Sequence, residues 1–386
     1  MALINKLQAI GNAIRSKTGK TEQLSLDQMV TEIEGIQTGS GGEEIIPEEA
    51  YIIDKAAQGT FAYNNWFWFL KYAKKNNKSI LIKPNSLYSL FDQSNKITDE
   101  LKNVTVSFPE TTGSLIGYLF KDCSQLTAFP TFIGGFSSTY LDDTSNIFAG
   151  CESVVEIPDI FNNFTFPTSS TAYPSSLFYD CSSLRKYSNE LLKRFVKTST
   201  STSYVYGSMF YDCNVLDEIG DLPIQNGDII HTIDMFFNCF SFLYRLKKFT
   251  FETNNGEPLK TSWKSQIIAL TSIGYGPMSS IIRNGEKSGI TEETQIIDEE
   301  SYQLLKDNPN SWTDNIAYSR YNHNSAVETI NSLPDTSEYL LANPGETNTI
   351  KFEGAAGAKT DGGAINTLTE EEIAVAAAKG WTVTLV

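Results

Sequence analysis

The chain has 386 residues, 46 of them acidic against 30 basic, for a formal charge of −16. That balance excludes a protein held on nucleic acid or on an anionic membrane by its overall charge, since both demand a basic surface. No stretch approaches the roughly 18–20 apolar residues of a membrane span, so no membrane insertion is expected, and the opening MALINKLQAIGNAIR lacks a small-residue cleavage site, so no secretory signal is expected.

Residues 1–37 read as two short helices. Leu3, Leu7, Ile10 and Ile14 fall on one face; Met29 and Ile33 continue the apolar face of a second helix that Ser25 and Gln28 cap. Helices this short cannot bury enough area to stand alone. Either they pack on the next domain or they associate with copies of themselves or a larger assembly. The Gly/Ser-rich stretch at 38–50 reads as a flexible tether and favours the second alternative.

From residue 51 the chain is rich in aromatics. The unbroken run Trp66–Leu70 reads as a cap on the exposed end of an array, with a carbohydrate platform as the alternative. Then one phrase recurs: LFDQSNKI, LFKDCSQL, IFAGCESV, LFYDCSSL, MFYDCNVL and MFFNCFSF. Its central slot holds Ser94, Cys123, Cys151, Cys181, Cys213 and Cys239, spaced by 29, 28, 30, 32 and 26 residues. Phe91, Phe120, Phe148, Phe178, Phe210 and Phe236 stand three residues before it, and Ile97, Leu126, Val154, Leu184, Leu216 and Phe242 three after. Such a period predicts an α/β repeat solenoid with parallel strands one rung apart, its core made of these phenylalanines and cysteines. The strands are expected at TAFP, VEIP and RKYS, just after the phrase. The cysteines, odd in number and without a C-x-x-C pair, are expected to be free packed thiols. Ser/Thr/Asn/Gly-rich inserts between the phrases read as loops on one side, and their aromatics Tyr140, Phe164, Tyr173, Tyr204 and Tyr206 are the candidate contact residues.

After residue 260 the phrase is lost. SQIIALTSIGYGP reads as a degenerate rung ending the array at 279, and 280–322 as an acidic insertion. Residues 323–386 read as a terminal cap: a capping-box helix from Ser325 and Glu328, a strand at NTIKFEG, a second capping box at Thr369 and Glu372, and a last strand at WTVTLV.

No catalytic constellation emerges, and no cofactor or metal is expected. SKTGKT lacks the first glycine and preceding strand of a phosphate-binding loop. Asp142–Asp143 and Glu299–Glu300 are adjacent acids, not carboxylates facing each other across a substrate. His231 and His323 lie far apart, and the Ser/Thr run at 198–203 has no histidine partner.

The phrase F-x-x-C-x-x-L and the ending GAINTLTEEEIAVAAAKGWTVTLV resemble the BspA-like, or treponemal-type, leucine-rich repeat over about residues 80–386, and LQAIGNAIRSKTGKTEQLSLDQMVTEIEGI resembles a segment opening many bacteriophage tail, baseplate or fibre proteins. Together they imply a leucine-rich-repeat array behind a short N-terminal helical anchor, in a non-enzymatic phage structural protein. That implied protein is a tail fibre or receptor-binding component of the virion, made in the host cytoplasm. Its implied partners are itself as a homo-oligomer, with a trimer taken by analogy, other virion proteins through 1–37, and a bacterial surface glycan or protein. A head fibre or capsid decoration protein and a bacterial surface adhesin are the alternatives.

Overall fold

The computed structural model describes residues 50–63, 66–111, 115–138, 140–167, 169–170, 174–196, 205–224, 230–231, 235–241, 243, 246–252, 262–271, 318–319, 321, 323–352, 359–360 and 368–385. The proposed helices of 1–37 with Leu3, Leu7, Ile10, Ile14, Met29 and Ile33, the tether at 38–49 and the insertion through 317 lie outside these residues, as do Tyr173 and Tyr204.

Within them the chain is α/β, and every strand pairing is parallel. Strand β1 (Ala50–Ala56) leads through helices α1 (Thr60–Tyr63) and α2 (Trp66–Lys75) to β2 (Ser79–Pro84), and β3 (Val104–Thr111), β4 (Thr131–Phe136) and β7 (Phe164–Thr165) extend the sheet in the order β1-β2-β3-β4-β7. Helix α2 buries Leu70 and Ala73, while Lys74 and Lys75 in its last turn complement the helix dipole. Between β4 and β7 come the two-residue strands β5 (Tyr140–Leu141) and β6 (Glu156–Ile157). Later come β8 (Ser169–Ser170), β9 (Lys186–Tyr187), helix α3 (Asn189–Val196) and β10 (Glu218–Leu222), with β5 paired to β8 and β6 to β9.

The first five copies of the recurring phrase fold the same way. Backbone i to i+3 bonds close each into tight turns, as from Cys123 N–H to the Phe120 carbonyl (3.1 Å) and from Leu126 N–H to the Cys123 carbonyl (3.0 Å). Counting from the central slot, positions −5 and −1 are left-handed: Ser89, Tyr118, Asn146, Ser176 and Ser208 at the first, Gln93, Asp122, Gly150, Asp180 and Asp212 at the second. The second position thus mostly uses Asp or Gly, which tolerate positive φ. Those turns aim alternate N–H groups at the next copy, so that Phe91, Phe120, Phe148 and Phe178 donate to the carbonyls of Leu119, Ile147, Leu177 and Met209 at 2.8–3.0 Å. Inside, the rings of Phe91, Phe120, Phe148, Phe178 and Phe210 stack at 5.2, 5.7, 5.7 and 5.6 Å. All five cysteines are free and buried. The thiols of Cys123, Cys151, Cys181 and Cys213 donate to the carbonyls of Phe91, Phe120, Phe148 and Phe178 in the preceding copy, at 3.0–3.2 Å. Burial pushes the four thiols well above the usual cysteine range, so they stay protonated donors.

The sixth copy departs from the sequence-based alignment by one turn, four residues. Phe210 N–H donates to the Cys239 carbonyl (3.2 Å) and the Phe210 ring stacks on Phe240, in β12 (Phe240–Ser241), at 6.3 Å, not on Phe236. Phe240, Leu243 and Leu246 therefore fill the places of Phe, Cys and Leu. The Lys247 N–H donates to the Asp217 carbonyl as Thr127 does to Thr98, and Asn238 supplies the left-handed residue at −5. Phe236 moves to position −7, stacked on Tyr206 at 5.2 Å, and Cys239 to an aliphatic position, both still buried. The phrase misleads here because MFFNCFSFL offers three Phe-x-x-apolar frames, starting at Phe236, Phe237 and Phe240, and the backbone ladder selects the last. Its slot, Leu243, lies 30 residues after Cys213, within the earlier spacing, where Cys239 lies only 26.

The remaining strands are β11 (Ile230–His231), β13 (Lys248–Phe251), β14 (Ser262–Trp263), β15 (Ile267–Thr271), β16 (Tyr318–Ser319), β17 (Asn348–Phe352), β18 (Lys359–Thr360) and β19 (Trp381–Leu385). One sheet runs β12-β15-β17-β19, and β10 pairs with β13. Helices α4 (His323–Ser332), α5 (Ser337–Ala342) and α6 (Glu370–Ala378) complete the C-terminal part. The capping box of Thr369 and Glu372 forms at α6, and Gly380 leaves it with φ +83°. The expected Ser325–Glu328 box does not form: α4 starts at His323, and Ser325 lies within it. Its hydroxyl donates to the Lys247 carbonyl (2.6 Å), Thr329 donates to that of Phe249, and Phe251 N–H donates to Ser332 Oγ (3.0 Å). Spaced i, i+4 and i+7, these hydroxyls clasp the backbone of β13, which would otherwise carry unpaired polar groups on that side. A second correction concerns TAFP, which is irregular; the strand begins at Thr131, after Pro130.

Candidate functional site

Strands β6, β9, β10 and β13 each begin with an outward residue followed by an inward one. Ile157, Tyr187, Ile219 and Phe249 point to the core and are buried, with Tyr187 packed against the Phe178 and Phe210 rings at 5.3 Å each. The outward partners are Glu156 opposite Lys186 and Glu218 opposite Lys248, from the strand registers. Just before each strand stand Val155, Arg185, Asp217 and Lys247. Successive rungs thus carry acid, base, acid, base.

These residues line an open groove of about 880 Å³, together with Pro158, Asp159, Ser188, Asn189, Gly220 and Asp221. Its charges are tied to one another across rungs: Lys186 Nζ to Glu156 Oε1 at 3.2 Å and Lys247 Nζ to Glu218 Oε1 at 3.0 Å. At its far side Arg194 donates to both carboxylate oxygens of Asp159, at 3.0 and 2.6 Å, and this pairing raises the arginine further above its ordinary range. Asn189 Nδ2 donates to the Gly220 carbonyl at 2.7 Å, tying helix α3 to β10. At Gly220 an added Cβ would meet no atom within 4 Å, so the groove is open there. Five acids against four bases line it, a near balance in a chain of net −16. Such a surface offers many paired donors and acceptors and little net field, which suits a polar ligand of low net charge.

The candidate contact aromatics do not gather here. Tyr140 is exposed at the start of β5, its carbonyl accepting from the Ser138 hydroxyl (2.8 Å). Phe164 and Tyr206 have to be withdrawn as contact residues, because both are buried. Phe164 lies in a cluster with Phe108, Phe136, Phe161 and Phe166, and Tyr206 occupies position −7, where Leu87 and Ile116 also point inward. The Tyr206 hydroxyl donates to the Pro223 carbonyl, which satisfies it inside the core. Exposed aromatics passed over in the sequence include Tyr179, stacked on Tyr211 at 5.1 Å, and Tyr72 on α2, while Trp68, from the run read as a cap or a carbohydrate platform, is exposed beside Tyr72.

Among the described residues no three His, Cys, Asp or Glu side chains converge as a metal site would require, and no helix is long and apolar enough to cross a membrane. Comparison of the chain with protein-family models, with curated proteins and with solved structures finds no match.

Proposed function

We propose that this chain is a non-enzymatic phage structural protein, a tail fibre or receptor-binding component of the virion, whose repeat array is a leucine-rich-repeat-type solenoid that grips a receptor on the bacterial surface. The observation that carries the reading is the charge-alternating groove across β6, β9, β10 and β13, built on a rigid, repetitive backbone ladder. A ligand lying across the rungs meets an acid and a base in turn, the same kind of contact every second rung, so weak contacts add. Display on several copies held by the N-terminal segment multiplies them again through effective concentration. The resemblance of residues 7–36 to phage appendage proteins supports placing that segment at the particle.

The decisive variant is Gly220→Trp. Position 220 lies in a strand that lines the groove, and a Cβ there meets no atom within 4 Å, so a bulky side chain starts in open space and projects into the groove. Purified full-length variant, with unchanged thermal unfolding, is expected to lose adsorption to host cells while a Tyr140→Ala control retains most of it. Adsorption equal to that of the parent protein removes the groove from the binding reaction.

A further inference from the structure

The chain carries a second, differently charged surface near its N-terminal strands, on helix α2 between β1 and β2. Between Trp66 and Lys83 there are five lysines and no acid, in a molecule with sixteen more acids than bases. On helix α2, Trp68, Lys71, Tyr72 and Lys75 fall at i, i+3, i+4 and i+7 and share one exposed stripe. Trp68 is 61% and Tyr72 45% exposed. Trp68 packs beside Phe67 (centroids 4.4 Å apart), and the exposed Lys96 places its ammonium 5.3 Å from the Phe67 ring centroid. Lys74 is already committed to Asp99, whereas Lys71 and Lys75 form no ion pair among the described residues. The stripe is held rigidly, because the opposite side of α2 buries Leu70 and Ala73.

We propose that this stripe is a binding site for an acidic polysaccharide. Aromatic rings give flat apolar faces for the C–H faces of sugars, and the lysines between them meet carboxylate or phosphate substituents on the same chain. A helix that lies on a bilayer segregates its aromatic and basic residues to opposite faces. Here they interleave on one face, which favours a polymer alternating ring and charge. The site is independent of the groove, which is charge-balanced where this stripe is cationic.

The test uses the full-length protein and polygalacturonate as probe, with neutral dextran and anionic phosphatidylglycerol vesicles in parallel. Expected are binding to polygalacturonate that weakens with salt, no binding to dextran, and weaker or no binding to vesicles. Trp68→Ala/Tyr72→Ala and Lys71→Glu/Lys75→Glu are each expected to weaken polygalacturonate binding about tenfold or more, with unfolding midpoints unchanged because the side chains are exposed. No binding to polygalacturonate overturns the proposal. So does loss on lysine reversal with none on aromatic removal, which marks mere ionic adhesion, and so does vesicle binding at least as strong, which marks a membrane surface. Gly220→Trp is expected to leave this binding intact, so the two sites fail separately.

Discussion

The copies centred on Cys123, Cys151, Cys181 and Cys213 and the copy that succeeds them make the same backbone ladder from different side chains. In the former a thiol reaches back to a phenylalanine carbonyl; in the latter Leu243 sits in that place with no donor. Backbone hydrogen bonds between copies persist through the change, from Phe210 to Cys239 and from Lys247 to Asp217. Register is therefore set by the main-chain ladder and the ring column, and the thiol is a filler that improves one copy's fit to the next.

The ring column gives the largest expected effect. Phe148 is fully buried between Phe120 and Phe178, each 5.7 Å away. Phe148→Ala is expected to cost about 3–5 kcal/mol in denaturant unfolding. A loss under about 1 kcal/mol would mean that the column carries little and that the thiols or turns set the register after all.

The sixth copy sharpens the comparison directly. Leu243→Ala is expected to cost about 2–5 kcal/mol and Cys239→Ala only about 1 kcal/mol, the scale of one buried methylene. If the two losses come out reversed, the frame read from the phrase is the true one.

Much of this was legible in the residues. The phenylalanine column, the buried free thiols, strands β17 and β19 and the Thr369 cap all follow from spacing and residue type. The frame of the sixth copy was not, because a local pattern cannot distinguish overlapping Phe-x-x-apolar frames; only pairing with the neighbouring rung does. Tyr206 looked like a loop aromatic because its insert is polar, yet alignment with Leu87 and Ile116 at position −7 carried the signal for burial. The groove escaped notice since its charges, such as Glu156 and Lys186, are separated by a whole repeat and come together only through parallel pairing.

The C-terminal clasp comes next in size. Thr329 donates to the Phe249 carbonyl and accepts from the Tyr321 hydroxyl, all three buried. Thr329→Val keeps the shape and removes both hydrogen bonds, and is expected to cost about 1–3 kcal/mol. Hydrogen exchange should show faster opening at β13 while the Cys151 and Cys181 copies stay protected. Equal protection at β13 in variant and parent would count against the clasp.

The smallest effect lies at the N-terminal end, where α2 is held by charge as well as by packing. Lys74 first, and Lys102 after it, hold Asp99 down to about 2, and Asp99 in turn raises Lys74. A carboxylate whose folded-state pKa lies below its ordinary value of 3.8 contributes stability that is complete above the ordinary value and disappears as pH falls through the depressed one. Because both partners are about a third exposed, the contribution at neutral pH is about 1 kcal/mol or less. Asp99→Asn should therefore unfold slightly more easily than the parent at pH 7 and at pH 5, with the gap narrowing below pH 4 and closing near pH 2. Glu372, held low by the Thr369 N–H and then by His323, weakens the opposite end over an overlapping acid range in both proteins. It cancels in the difference, so a gap that stays constant down to pH 2 would show that Asp99 acts through shape and not through its charge.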